Sequence, residues 1–337
     1  MPNSPFGPIQ RRLHILLGRL DQGKMMTNLQ LHFDANLPES YLECFRTGVN
    51  DLLTRSSCLK GLTLGGRCGY IEIPHMIGGT SPSFRLSELS LHLRVTPELW
   101  DLVFSQPTIR RLVLNHCFKP PYVHYRPPDI PSQIPTNALP QLEALLAPIE
   151  IVTALLPGRP VKYVAVQCRD TSSPSALEFL WQAVEESSAA LTALSIRADS
   201  TIAFRSLLQE LPRRTPSLRF LGINIAGSTR RWTPRPNAGD LGLLSSLTML
   251  ECIRWESTPD PRCFSNPADY AGTSLRHVQH EVCSLWSSPQ GLHEYEGAWE
   301  IVNKKGRTYW KLKPFFLAPR VDHRTRGLVC IVNSFLI

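Results

Sequence analysis

Leu59-Lys60-Gly61-Leu62-Thr63-Leu64 carries the pattern that decides the fold. Its first, fourth and sixth residues are apolar. In an extended segment Leu62 and Leu64 therefore turn to one side and Thr63 to the other, following the two-residue period of a strand. Outward from this stretch the pattern recurs. Units open at Met26 (Leu29, Leu31), Leu86 (Leu89, Leu91), Ile109 (Leu112, Leu114), Leu139 (Leu142) and Val161 (Val164, Val166). Further units open at Leu191 (Leu194, Ile196), Leu218 (Leu221, Ile223), Leu247 (Leu250, Cys252) and Leu275 (Val278). Start-to-start spacings are 33, 27, 23, 30, 22, 30, 27, 29 and 28 residues, and the units at Leu139 and Leu275 lack the final apolar position. A short apolar strand repeated at such intervals specifies a solenoid, because one unit cannot bury its face without neighbours.

Between the strands the apolar period changes. Tyr41 to Ser56 places Leu42, Phe45, Val49, Leu52 and Leu53 at helical spacing, and Ala176 to Ser188 does the same with Leu177, Leu180, Trp181 and Val184. Thr96 followed by Pro97-Glu98-Leu99-Trp100 reads as an N-cap and first turn. The expected architecture is α/β: a curved solenoid of about ten irregular repeats, with parallel strands on the concave face and helices on the convex face. Phe118 to Pro135, Gly227 to Asp240 and Glu256 to Gly272 are rich in residues that break helices and read as surface loops. Trp299 to Val302, Asn303-Lys304-Lys305-Gly306 and Arg307 to Leu312 read as a β-hairpin able to cap the open end of the core. The resulting division is an N-terminal extension or partial capping helix at 1–25, a solenoid at 26–290, a capping hairpin at 291–320 and a tail without a clear element at 321–337.

With 42% hydrophobic and 19% charged residues, the 337-residue chain has apolar material for a continuous core. No stretch approaches the roughly 20 apolar residues of a membrane helix. Leu13 to Leu17, flanked by Arg11, Arg12 and Arg19, lacks a small-residue cleavage site and makes a poor signal peptide. Nine scattered cysteines without a C-x-x-C pair suit neither a disulfide ladder nor a zinc finger, which points to a cytoplasmic or nuclear home. The net charge of +8 raises nucleic acid or an acidic surface as an alternative partner. The basic pairs Arg213-Arg214, Arg230-Arg231 and Lys304-Lys305 are small, separated and not interleaved with aromatic residues, which argues against nucleic acid.

Catalytic motifs are missing. No P-loop or nucleophile elbow occurs, and Gly65-Gly66-Arg67-Cys68-Gly69 lacks the Lys-Ser/Thr that phosphate binding needs. His277, His280, Glu281 and Cys283 are the tightest group of potential ligands, but a strand sends His277 and His280 to opposite faces. The expectation is a protein that is not an enzyme and needs no metal or cofactor. The outward strand positions carry more weight, since solenoids bind on that surface. The third position of each unit gives Asn28, Gly61, Glu88, Arg111, Gln141, Tyr163, Ala193, Phe220, Met249 and His277, and the position after the sixth adds Asn115, Gln167, Arg197 and Asn224. Arg111, Tyr163, Arg197, Phe220, Asn224, Met249 and His277 are the candidate protein-binding residues of the concave face, with aromatic anchors inside a polar rim.

The units, and above all Leu142-Glu143-Ala144-Leu145-Leu146-Ala147-Pro148 with Leu155-Leu156-Pro157-Gly158-Arg159-Pro160-Val161, resemble the irregular leucine-rich repeats of fungal F-box-type proteins. The resemblance spans roughly Met26 to Leu312. It implies a leucine-rich-repeat solenoid that holds a target protein, as the substrate-recognition part of a ubiquitin-ligase receptor. Docking to a ligase adaptor would need an F-box upstream, because Met1 to Met25 is too short to contain one.

Overall fold

The computed structural model describes residues 25–33, 49–66, 83–92, 97–114, 130–131, 134–168, 174–198, 202–225, 243, 247, 252–256, 277–282, 295–304, 307–314 and 331–335. The chain divides into two compact units, Met1–Ile151 with Val321–Ile337, and Val152–Arg320.

In the first unit β1 (Met26–Phe33), β2 (Gly61–Gly66), β3 (Glu88–His92), β4 (Arg111–Leu114) and β5 (Ala144–Pro148) pair in parallel, in chain order. Helical residues 49–55 precede β2, and α1 (Pro97–Phe104) joins β3 to β4. Pro97 opens α1, a position where proline's missing N–H would have no intrahelical partner in any case. Leu29, Leu31, Leu62, Leu64, Leu89, Leu91, Leu112, Leu114 and Leu145, the inward residues of successive strands, are each at most 1% exposed. The helical residues Leu52, Leu53, Leu99, Trp100 and Val103 are buried as well. Each such leucine contributes about 1.5–3 kcal/mol of burial, which offsets the ordering of its own backbone.

In the second unit β6 (Tyr163–Cys168), β7 (Ala193–Ala198), β8 (Phe220–Ile225), β9 (Cys252–Glu256) and β10 (His277–Val282) form another parallel ladder. α2 (Ile149–Leu155) leads towards β6, α3 (Pro174–Glu185) joins β6 to β7, and α4 (Ile202–Arg214) joins β7 to β8. The antiparallel strands β11 (Tyr295–Lys304) and β12 (Arg307–Pro314) continue the ladder beyond β10. They form the hairpin expected from the sequence, with Trp299 opposite Leu312 and Ile301 opposite Trp310. The tail, in which no element was expected and which belongs to the first unit, contains β13 (Ile331–Phe335), paired antiparallel with β1 of that same unit. The chain is thus of the expected α/β class, with parallel ladders and intervening helices.

Two units of the sequence pattern are displaced by three residues. Arg111 is in register with Ala144 and Leu112 with Leu145, so the fifth unit opens at Leu142 rather than Leu139, and Ala144 replaces Gln141 in the outward row. Likewise Phe220 pairs with Cys252 and Leu221 with Ile253. Counting back, the ninth unit opens at Leu250 rather than Leu247. The cause is the turn that delivers each strand. Its N–H to C=O bonds run from Leu59 to Ser56, Ile109 to Gln106, Leu142 to Leu139 and Leu218 to Thr215. Ser56, Gln106 and Thr215 are buried polar residues at the turn, and Leu139 takes the same place as a fully buried leucine with a φ of 56°. A leucine three residues ahead of the unit's first leucine imitates the first and fourth positions of the pattern.

The polar turn residues also close helix ends. The Ser56 and Thr215 hydroxyls donate to the carbonyls of Leu52 and Leu211, four residues back, and the Leu86 N–H donates to Gln106 Oε1 at 2.9 Å. These contacts satisfy backbone groups that a terminating helix or an incoming strand leaves open. Of the loops expected from the sequence, Gly227 to Asp240 lies outside the described residues, as do most of Phe118 to Pro135 and nearly all of Glu256 to Gly272. Among the described residues no helix is long and apolar enough to cross a membrane, and Cys58 and Cys168 are not joined in a disulfide.

Candidate functional site

Once the inward positions are spent on the core, the third and fifth positions of each unit are left to form a surface. In the first unit the third positions align as Asn28, Gly61, Glu88, Arg111 and Ala144, and the fifth as Gln30, Thr63, Ser90, Val113 and Leu146. These rows line an open depression of about 270 Å³ walled by Asn28, Gln30, Gly61, Thr63, Glu88, Ser90, Arg111 and Val113. Its lining is amide, hydroxyl and charge, with Leu29, Leu62 and Leu89 behind. A Cβ on Gly61 would stand 2.2 Å from Asn28 Oδ1, so the Asn28 amide lies across the glycine.

The second positions align as well, through carbonyls that each accept two N–H groups from the next unit. Lys60 O accepts from Ser87 and Glu88, Ser87 O from Arg110 and Arg111, and Arg110 O from Glu143 and Ala144. The row Lys60, Ser87, Arg110 thus stacks at the strand entry, and Lys60, Arg110 and Arg111 are exposed.

In the second unit Tyr163, Ala193, Phe220, Cys252 and His277 share one register row, continued by Glu300 of β11. Tyr163 is 51% exposed and Phe220 half-buried. Between this row and that of Gln167, Arg197 and Asn224 run the small residues Ala165, Ser195 and Gly222. The strand therefore brings Tyr163, Phe220 and His277 into one line, with Ala193 and Cys252 between them. It also sets Arg197 beside Asn224. Arg111 belongs to the first unit and lines its depression. Met249 lies outside the described residues, and the register gives Cys252 the place in the row expected of it.

Gln30, Ser90, Lys60 and Arg110 were not among the candidates read from the sequence. The two-residue strand period marks Gln30 and Ser90 as outward, but without a register nothing shows that they converge. Among the described residues no group of three or more His, Cys, Asp or Glu is placed to hold a metal ion. No protein-family model matches the chain, and no curated protein matches it significantly.

Proposed function

We propose that this chain is a non-enzymatic protein-binding scaffold of the leucine-rich-repeat class. In this reading it is a curved solenoid of about ten irregular repeats that holds a target protein on its strand face. One observation supports the reading above the others. The inward strand rows of the first unit are filled to closure, while its outward rows remain an open surface of adaptable hydrogen-bonding and charged groups. The exposed Tyr163 with half-buried Phe220 offers the kind of aromatic anchor that carries binding energy at protein interfaces. The resemblance to F-box-type receptors makes ubiquitin-ligase substrate recognition the specific form of this reading. Recovery of a ligase adaptor with the chain from its native cells would support that form.

Placing bulk on the strand face tests the general reading. Ser90 is half-buried on β3 with its side chain in the depression, so Ser90→Trp fills the depression while leaving the inward leucines in place. Affinity capture from native cells is expected to recover a target with the wild-type chain and lose it with Ser90→Trp. A target retained undiminished by a folded Ser90→Trp chain would refute the strand face as the binding surface.

A further inference from the structure

We propose that the depression of the first unit seats an extended segment of the target protein that carries a basic and an acidic residue two positions apart; this rests on the protein-binding reading above. The lining comes from one face of the sheet, because the strand period places Gly61 with Thr63, Glu88 with Ser90 and Arg111 with Val113 on the same side. In the third-position row Gly61 is in register with Asn28 on one side and Glu88 on the other, and Glu88 with Arg111. Glu88 and Arg111 are exposed, whereas Thr63, Ser90 and Val113 of the fifth-position row are half-buried. Among the described residues neither the Glu88 carboxylate nor the Arg111 guanidinium makes an ion pair or a hydrogen bond. Asn28 Nδ2 donates to Thr27 Oγ1 at 3.4 Å, which leaves Oδ1 over Gly61, on the strand next to Glu88. The row thus presents two acceptors, Asn28 and Glu88, followed by a donor, Arg111.

The register sets the direction and the spacing of the match. Glu88 and Arg111 are in register on adjacent strands, about 4.8 Å apart, so a segment that meets both runs across the strands. In an extended segment residues i and i+2 project to one side about 6.6 Å apart, whereas i+1 and i+3 project to the other and i+4 stands about 13 Å away. Only the i, i+2 pair reaches both charges, and the long Glu88 and Arg111 side chains cover the remaining distance of about 2 Å. A lysine or arginine then meets Glu88 and the Asn28 oxygen, and an aspartate or glutamate two positions away meets Arg111. Glu88 repels a nucleic-acid backbone, and no aromatic side chain lines the depression for base stacking.

Fluorescence anisotropy on the full chain tests the proposal, with labelled ten-residue Gly/Ser/Thr peptides that carry Lys-x-Glu, Lys-x-x-Glu, Lys-x-Lys, Glu-x-Glu or Gln-x-Gln at their centre. The wild-type chain is expected to bind Lys-x-Glu most tightly and in a salt-sensitive way. One exposed ion pair changes affinity by up to about fivefold, so two pairs should separate Lys-x-Glu from Gln-x-Gln by about tenfold. Lys-x-x-Glu, whose charges project to opposite sides, should bind less tightly than Lys-x-Glu. Reversing one charge should move the preference: Glu88→Lys should favour Glu-x-Glu, and Arg111→Glu should favour Lys-x-Lys. A switched preference also shows that the variant is folded. Equal binding of the peptides, no binding of any, or the wild-type order of preference in both variants overturns the proposal. So does tighter binding of a single-stranded oligonucleotide that displaces Lys-x-Glu. A captured target lost on Ser90→Trp yet kept by both Glu88→Lys and Arg111→Glu overturns the paired-charge segment alone and leaves protein binding standing.

Discussion

At the scale of single residues, Arg159 explains why Leu-Pro-Gly-Arg-Pro-Val follows α2. Its side chain is buried, and one guanidinium nitrogen donates to the carbonyls of Leu155 at 2.9 Å and Pro157 at 3.0 Å. A cation at a helix C-terminus also opposes the negative end of the helix dipole. Burial pushes the guanidinium below its ordinary pKa, but arginine stays charged throughout the accessible range. The Arg159 backbone carbonyl in turn accepts from Ser187 Oγ and the Ser188 N–H, and Gly158, with a φ of 72°, turns its N–H onto the Glu186 carbonyl. Arg159→Met keeps the aliphatic bulk and removes the donors. It should destabilise the chain by about 2–3 kcal/mol in urea melts, the cost of losing a charge-assisted buried bond, with Arg159→Lys recovering part of it. The phrase stood out in the sequence only as a resemblance, because nothing local says that an arginine will fold back into the protein.

At the scale of elements, neighbouring strands approach closely where Ser195 of β7 faces Gly222 of β8. A Cβ at Gly222 would lie 2.7 Å from Ser195 Oγ and 3.0 Å from its Cβ. Gly222→Ala should therefore cost about 1–3 kcal/mol of overpacking. Adding Ser195→Gly should recover most of it in a double-mutant cycle, leaving only the 3.3 Å approach to the backbone of residue 195. Between helices, Arg214 of α4 bonds Glu178 and Glu185 of α3 as well as Glu210 of its own helix. Hydrogen bonds to Glu185 and Glu210 raise its pKa, which marks the charged form as favoured. The carboxylates are exposed enough for salt to screen them. Arg214→Gln should lower Tm in dilute buffer, and the difference should shrink in 1 M salt, where the Debye length falls to about 3 Å.

The strands themselves were legible, since alternating apolar residues announce them wherever the pattern is kept. The observed register agrees with the openings read at Met26, Leu59, Leu86 and Ile109 within the first unit and at Val161, Leu191, Leu218 and Leu275 within the second. At the other two, Leu139 and Leu247 stand three residues before the true first position, where Ser56, Gln106 or Thr215 would otherwise mark a turn. Leucine is compatible with either place, so only the hydrogen-bond ladder separates them. β13 escaped because Ile331-Val332-Asn333-Ser334-Phe335 carries no repeat, and its partner β1 is some three hundred residues away in sequence. Arg111 and Tyr163 were readable as outward residues, which the exposure of both agrees with, because one outward position per unit is enough to mark them. Gln30 and Ser90 were missed because their convergence depends on stacking units in register.

At the scale of the whole molecule, the ladders are closed at strands that belong to no repeat. β13 pairs with β1, and β11 and β12 extend beyond β10, so the outermost parallel strands do not present bare N–H and C=O groups. On the proposed reading, the strand face of the first unit, with its polar lining, is the surface that meets a partner. A photo-crosslinking residue placed at Thr63, on that face, and separately at Phe179, 60% exposed on α3, asks directly where a partner sits. The account expects a protein adduct in native cells from Thr63 and none from Phe179. An adduct from Phe179 with none from Thr63 would contradict it.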